Sequence, residues 1–417
     1  MNTHAPIRAQ HLTRPRSGVR MRAAGYFGHR ILDRLDRGLD HGTMEMMLPD
    51  GSFRILGGRG DGPKARISLT RWRALLRLAQ QGSEGGYRGW DAGDWDSVDL
   101  VAVFELFARN RRSLAGTARA SGLTRLAKQA AHWLHRNTRR GAKRNILAHY
   151  DLGNDFYAAW LDETLTYSAA LFLEPMNGEE ALESAQKRKV QALGQRLQLK
   201  PASDILEIGS GWGYFSRQCA KKGHRVTAIT LSPLQKRHAE AAAAKLDTPP
   251  AYHLRDYRDV TGQYDTIASV EMVEAVGQQY WPVYLDMIAR SLRPGGRAAI
   301  QFISMAEDVF ADYAAGMDFI QTHIFPGGML RSESRFRALA EARGLSWEAP
   351  LHFGAHYAET LRRWHVRFDD AVAEGRLPKG FDDRFVRLWR FYLMYCEGAF
   401  RGGAIDVAQV TLVKAGG

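Results

Sequence analysis

Residues 204–213 read Asp204-Ile205-Leu206-Glu207-Ile208-Gly209-Ser210-Gly211-Trp212-Gly213. Apolar positions 205, 206 and 208 predict a buried parallel strand, with an acid at 207 near its end. Glycines at 209, 211 and 213 follow, and residues 214–222 have a helix-like pattern. A strand feeding a glycine-rich turn and a helix makes a cradle for a nucleotide-type ligand. Glycine reaches unusual φ values there and lets the backbone approach the ligand closely. The spacing is G-x-G-x-G, not the G-x-G-x-x-G of dinucleotide folds, and no lysine follows as in a phosphate loop. An acid ahead of the first glycine suits a cationic amine better than a pyrophosphate. The plain alternative is an ordinary turn after a strand, and the pattern around it argues against that.

From residue 146 onward, strands and helices alternate, which predicts an α/β fold with a doubly wound, Rossmann-like parallel sheet. Candidate strands are 205–208, 226–230, 266–270 and 298–303, the last preceded by a turn at Pro294-Gly295-Gly296. Helices are expected at 233–246 and 281–292, and a final antiparallel strand at 409–413, near the sheet edge. Ahead of this lies a smaller α+β unit, residues 41–136. Strands at 44–48 and 53–56 flank Pro49-Asp50-Gly51, a hairpin signal, and 67–69 is a third strand. Helices are expected from 72, at 98–109 and at 113–136, and the glycine- and aspartate-rich stretch 82–96 reads as a loop. Residues 1–40 read as a basic arm and an amphipathic helix with Ile31, Leu32, Leu35 and Leu39 on one face. Residues 137–145 read as a linker and 146–417 as the second domain.

Charge separates these parts. Residues 1–145 hold 27 Lys and Arg against 12 Asp and Glu, whereas 146–417 hold 31 against 33. All the excess positive charge of the chain, +13 overall, is therefore in the first third. Such asymmetry suits a polyanion, either nucleic acid or an anionic membrane surface. Each basic residue near an anionic leaflet contributes about 1 kcal/mol. No run of apolar residues is long enough to span a bilayer. Two cysteines, Cys219 and Cys396, make neither a disulfide framework nor a metal-ligand spacing, and a reducing cytoplasm is the simplest home.

Ligands of open α/β sheets sit at the carboxyl ends of the strands. The second strand ends at Thr230-Leu231-Ser232-Pro233, where Thr230 and Ser232 offer hydroxyls and Gln235 lies one turn into the helix. Ser232-Pro233 is equally a helix cap. Asp256-Tyr257 precedes the next strand, an acid–aromatic pair suited to hold an adenine amine and stack on its ring. With Glu207 and Gly209, Gly211 and Gly213, this set points to S-adenosylmethionine as cofactor.

Several further pieces, in order, carry a resemblance: 149–156, Tyr167-Ser168-Ala169, 206–213, 230–235, 269–274, Phe325-Pro326-Gly327-Gly328, 356–361 and 392–401. On these residues the chain resembles the cyclopropane-fatty-acyl-phospholipid synthases, a family of class I methyltransferases that modify cis double bonds in membrane lipids. The likeness covers 146–417, and the basic unit, with Pro49-Asp50-Gly51 and Gly93-Asp94-Trp95, looks like the family's amino-terminal domain. The resemblance implies methyl transfer from a sulfonium to an alkene carbon of an unsaturated acyl chain, with Tyr167 and Ser168 beside the cofactor.

Such transfer needs the carbon held in line with the methyl group, and a dry pocket whose aromatic faces attract a carbocation. Phe319, Phe325, Tyr357, Trp364, Phe368, Trp389, Phe391, Tyr392 and Tyr395 are candidates, about half of them as lining and the rest as core. The family is also expected to hold a bicarbonate ion as base. Carried over by motif, its ligands are Ala169, Glu274, Gln301, Ile303 and Tyr357. Two depart from the pattern: alanine stands for cysteine at 169, and glutamine for histidine at 301. Ala275 also follows Glu274 where histidine is common. Gln301 can donate a hydrogen bond but cannot relay a proton, so ring closure is the step these changes touch, and cyclopropane and methyl- or methylene-branched products are both expected outcomes. The expected setting is cytoplasmic, peripheral on the inner face of an anionic phospholipid membrane, with no nucleic-acid partner; a homodimer is left open. A nucleic-acid or small-molecule methyltransferase, or a non-catalytic lipid carrier, is the alternative.

Overall fold

The computed structural model describes residues 19–115 and 152–416. The expected arm before residue 19, most of the 113–136 helix, the 137–145 linker and His149-Tyr150-Asp151 lie outside the described residues.

The amino-terminal unit is built on four strands, β1 (Thr43–Met47), β2 (Phe53–Gly57), β3 (Lys64–Leu69) and β4 (Trp95–Asp96), in the order β2-β1-β3-β4. The hairpin forms as expected, and β3 pairs parallel to β1. Alternation puts Met44, Met46, Leu56, Ile67 and Leu69 inside, where Leu32 and Leu39 from the Val19–Arg37 helix region cover them. The opposite face leaves Met47, Phe53 and Ile55 exposed. Where a loop was expected, Ser83–Asp91 is a helix. Its glycines serve close packing and not flexibility: a Cβ on Gly85 would lie 2.0 Å from the Arg77 carbonyl oxygen. In the turn that follows, the Asp94 side chain is fully buried under Arg71, Arg73 and Arg77.

The second unit is a seven-stranded sheet of β5 (Asp204–Ile208), β6 (Arg225–Thr230), β7 (Ala251–Leu254), β8 (Tyr264–Val270), β9 (Leu292–Met305), β10 (Leu345–His352) and β11 (Ile405–Lys414). Its order is β10-β11-β9-β8-β5-β6-β7. Strands β5 to β9 are parallel, and β11 is antiparallel to both of its neighbours. The final strand is thus antiparallel and near the sheet edge as expected, one place in from β10, which forms the edge. Neither β7 nor β10 was expected, because each is largely exposed and carries no apolar run. Chain order reverses at β5, so its carboxyl end is the switch point where a crevice opens. The Leu182–Leu197 helix packs Val190, Leu193 and Leu197 on one sheet face, and the Trp281–Ser291 helix packs Leu285 and Ile288 on the other.

The two units share a core. Tyr87, Trp90 and Leu100 join the aromatic cluster of the carboxyl-terminal helices Gly354–Ala373 and Asp383–Arg401. Contact is close because Gly398 and Gly402 face the Leu100–Arg109 helix. A Cβ on Gly398 would lie 2.5 Å from that of Phe104.

Candidate active site

A cavity of about 310 Å³ opens at the carboxyl ends of β5, β6 and β8. Gly209 and Gly211 form its floor, with φ of +80° and +52°. A Cβ on Gly211 would project into open space, whereas one on Gly209 would lie 2.6 Å from Met272 Cγ. The bend after β5 is therefore an open cradle backed by Met272. Thr230, Leu231, Gln235, Arg255 and Tyr257 continue the wall. The Thr230 hydroxyl donates to Gln235 Oε1 at 3.1 Å, so the two side chains present one joined polar edge. Tyr257 is braced edge-on against Tyr284.

Five expected cofactor contacts do not line this cavity. Glu207 lies on the strand face opposite Ile208, so its carboxylate is buried against Ser216, and burial pushes it up to about 8. Gly213 serves helix packing, since a Cβ there would lie 2.5 Å from the Tyr252 hydroxyl. Ser232 caps the Pro233–Ala243 helix, accepting from the Gln235 amide at 3.3 Å. Asp256 closes on Arg258 through two side-chain hydrogen bonds of 2.8 and 2.6 Å, so it is spent locally and Arg255 takes the wall position. The Ser168 hydroxyl accepts from the buried Lys189 ammonium at 2.6 Å. Tyr167 does line the cavity, its hydroxyl 2.7 Å from that of Tyr392.

The far half of the cavity is apolar and aromatic. Of the nine expected aromatics, Phe325, Tyr357, Tyr392 and Tyr395 line it, joined by Phe400, while Phe319, Trp364, Phe368, Trp389 and Phe391 are core. Periodicity along the two long helices marks which positions are buried, but not which of them border a hole.

Between the two halves sits a residue that sequence reasoning passed over. Glu271 follows β8 directly, in a left-handed conformation at φ +47° that a non-glycine residue rarely adopts. Its Oε1 accepts from the Ala169 amide at 2.9 Å and from Gln301 Nε2 at 2.7 Å. Its Oε2 accepts from the Tyr357 hydroxyl at 2.7 Å. Thus Ala169, Gln301 and Tyr357, three of the residues that the resemblance assigns to an anion, converge on a carboxylate of the chain itself. The remaining two are also engaged: the Ile303 amide donates to Glu274 Oε1 at 2.7 Å, and Arg331 pairs with that oxygen at 2.8 Å. These five residues do not fit an added bicarbonate, because their donors are already taken and a further anion would face two carboxylates. An acid at the carboxyl end of a central strand was the available signal for Glu271.

Burial and the neighbouring Glu274 carboxylate push Glu271 up, to about 7, against the pull of Lys189. Burial in turn draws Lys189 down. The Tyr357 hydroxyl is held well above its usual range by burial and by Glu271. A carboxylate poised near neutrality, inside an apolar cavity and beside an ion-paired second one, has the properties of a general base.

The chain matches the mycolic acid cyclopropane synthetase family over residues 137–410. It belongs to that family. It is 36% identical to tuberculostearic acid methyltransferase UfaA1 of Mycobacterium tuberculosis over 401 residues, 92% of this chain and 90% of that one. It is 35% identical to the cyclopropane-fatty-acyl-phospholipid synthase of Escherichia coli K12 over 270 residues, 64% of this chain and 66% of that one. Among solved structures, mycolic acid cyclopropane synthase CmaA1 complexed with SAH and CTAB superposes with a TM-score of 0.60 at 28% identity, covering 65% of this chain and 98% of that one. The protein is accordingly an S-adenosylmethionine-dependent methyltransferase with a class I, Rossmann-like fold. The open cradle over Gly211 fits that cofactor. Among the described residues no helix is long and apolar enough to cross a membrane.

Proposed function

We propose that this methyltransferase alkylates the cis double bond of an unsaturated phospholipid acyl chain, with Glu271 as the base that completes the reaction. The observation that carries this is the convergence of Ala169, Gln301 and Tyr357 on Glu271 inside an aromatic-walled cavity that begins at the glycine cradle.

S-adenosylmethionine, when bound, supplies an electrophilic methyl group on a sulfonium. Gly209, Gly211, Thr230, Gln235 and Tyr257 would hold it at the strand ends, in the same cavity that Tyr167 lines. Phe325, Tyr392, Tyr395 and Phe400 enclose the acyl chain and keep water from the carbocation, which their ring faces stabilise. When the alkene π pair has formed the new C–C bond, the adjacent carbon is cationic. Glu271 then takes a proton from the transferred methyl group. If the freed C–H pair bonds to the cationic carbon directly, a cyclopropane forms; if a hydride has first shifted between the two former alkene carbons, the pair forms a methylene double bond. Glu274, held by Arg331 and the Ile303 amide, lies close enough to keep the Glu271 pKa high and its proton affinity useful.

We favour the branched product. The relative matched over nine-tenths of both chains is named for methyl transfer and not for ring closure, and the donors expected to hold bicarbonate serve an internal carboxylate. Incubation with labelled cofactor and an unsaturated phospholipid, followed by proton NMR of the recovered acyl chain, tests this: olefinic methylene signals support it and upfield cyclopropyl signals refute it.

We further propose that the amino-terminal unit docks on an anionic bilayer. One face of its sheet exposes Met47, Phe53 and Ile55 and also carries Lys64 and the Arg66–Glu45 ion pair, within the part of the chain that holds the excess positive charge. Sedimentation with anionic vesicles that an oligonucleotide competitor does not reverse supports docking; reversal by the oligonucleotide refutes it.

A further inference from the structure

Behind Glu271 runs a buried line of amides that methyl transfer itself does not use. Gln301 on β9 and Gln409 on β11 are register partners, and both are fully buried. Gln409 Nε2 donates to Gln301 Oε1 at 3.0 Å and to the Lys189 carbonyl at 3.3 Å. Gln409 Oε1 accepts from Arg196 Nε at 3.2 Å. Gln301 Nε2 donates to Glu271 Oε1 at 2.7 Å and to the Ala169 carbonyl at 3.3 Å.

Each amide has a donor end and an acceptor end, and either could turn over. Only the groups at the ends of the line decide. A guanidinium can only donate, and an ionised carboxylate can only accept. Arg196 therefore requires the carbonyl end of Gln409, which leaves the Gln409 NH₂ for Gln301, which leaves the Gln301 NH₂ for Glu271. The backbone carbonyls of Lys189 and Ala169 can only accept, and each takes the second hydrogen of the amide beside it. All six groups agree on one direction.

We propose that Gln409 is a positioning residue for the base: anchored by Arg196, it turns the Gln301 amide so that its N–H group, and not its carbonyl, meets Glu271 Oε1. The assignment rests on Glu271 being the base. It also decides which oxygen reacts. Oε1 carries two donors held in place, the Ala169 N–H by the backbone and the Gln301 N–H by its bond to Gln409. Among the described residues, Oε2 carries only the Tyr357 hydroxyl, which can turn and accept. The proton leaving the substrate thus goes to Oε2, and the C–H pair stays in the product.

The other groups facing Glu271 are Glu274 beside it, itself paired with Arg331, Lys189 from the 182–197 helix, and Tyr357 from the 354–373 helix, with Tyr167 and Tyr392 beyond. Of these, Lys189 meets the line only through its backbone carbonyl, which accepts from Gln409 Nε2, and no side chain among them bonds to either glutamine. A change at Gln409 can therefore be followed separately from them.

Gln409→Glu presents acceptors at both ends. It keeps Arg196 but forces Gln301 to turn its NH₂ toward position 409 and its carbonyl toward Glu271. The acidic limb of the kcat/KM profile then moves up by about one to two pH units, the size expected for losing one hydrogen bond to a charged group. Cofactor affinity by calorimetry and KM for the acyl substrate stay within about threefold, that is, under half a logarithmic unit. Gln409→Met, which removes the amide without adding charge, moves the limb in the same direction by less. In a Gln301→Leu background, Gln409→Glu adds no further shift, because the line is already cut. Wild-type limbs in both Gln409 variants, or a shift undiminished in the Gln301→Leu background, would overturn the proposal. Glu271→Gln separates the two layers: a wild-type rate there removes the base itself, whereas an inactive Glu271→Gln with unmoved Gln409 profiles removes only the positioning role.

Discussion

Replacing Glu271 by glutamine tests the centre of the mechanism, because activity and stability should move in opposite directions. Glutamine has the same shape. Its carbonyl still accepts from the Ala169 and Gln301 N–H groups, and its NH₂ can donate to the Tyr357 oxygen. Cofactor binding should survive. Loss of the base should lower turnover by about 10²- to 10⁴-fold, or roughly 3–5 kcal/mol of barrier. Stability should rise. The Glu271 carboxyl is raised from 4.5 to about 7 in the folded chain, so the folded state holds its proton more tightly than the unfolded state. Stability is then lost as pH climbs from about 4.5 through about 7, and the native enzyme at pH 8 bears an ionisation cost of at most about 3 kcal/mol. Glutamine removes that cost, less whatever Lys189 loses with its counter-charge. Denaturant titrations at pH 8 and pH 5 measure the difference, which should be largest at pH 8. A variant that turns over within about threefold of wild type, a change of under 1 kcal/mol in barrier, would refute the reasoning. So would one whose stability falls at pH 8.

The native enzyme's kcat should rise with pH through about 7 and level off above it, since Glu271 must be ionised to accept a proton; a flat profile from pH 6 to 8 would exclude it. Gly209→Val should abolish cofactor binding by calorimetry, because φ is +80° there and the new Cβ would press into Met272 at 2.6 Å. Arg331→Met leaves the largely covered Glu274 carboxylate without its cation, and chemical denaturation should show a loss of up to about 3–5 kcal/mol. Gly398→Val should prise the Asp383–Arg401 helix off Phe104; a loss of about 1–3 kcal/mol in the same assay would match overpacking.

Much of this protein was legible residue by residue. The 204–213 stretch specified a strand, a bend and a helix, because glycine is the residue that tolerates φ near +80° and leaves room above the backbone. Alternating segments specified the parallel sheet, and the charge count separated the amino-terminal third. Edge strands β7 and β10 were hidden because half-exposed strands carry no apolar run, and the Ser83–Asp91 helix because its packing glycines resemble those of a loop.

The family resemblance could name positions 169, 301 and 357 but not what they donate to here. The sequence reading named acids at 207, 256 and 274, passed over Glu271, and could not say which acids face the cavity. Strand alternation turned Glu207 inward, Arg258 claimed Asp256, and a left-handed residue at the end of β8 swung Glu271 into the middle of the site. Backbone preference and hydrophobic period act between near neighbours, so the chain alone determined the sheet and its cofactor bend. The partners of a buried carboxylate lie on segments up to 102 residues away, and only the folded packing could decide them.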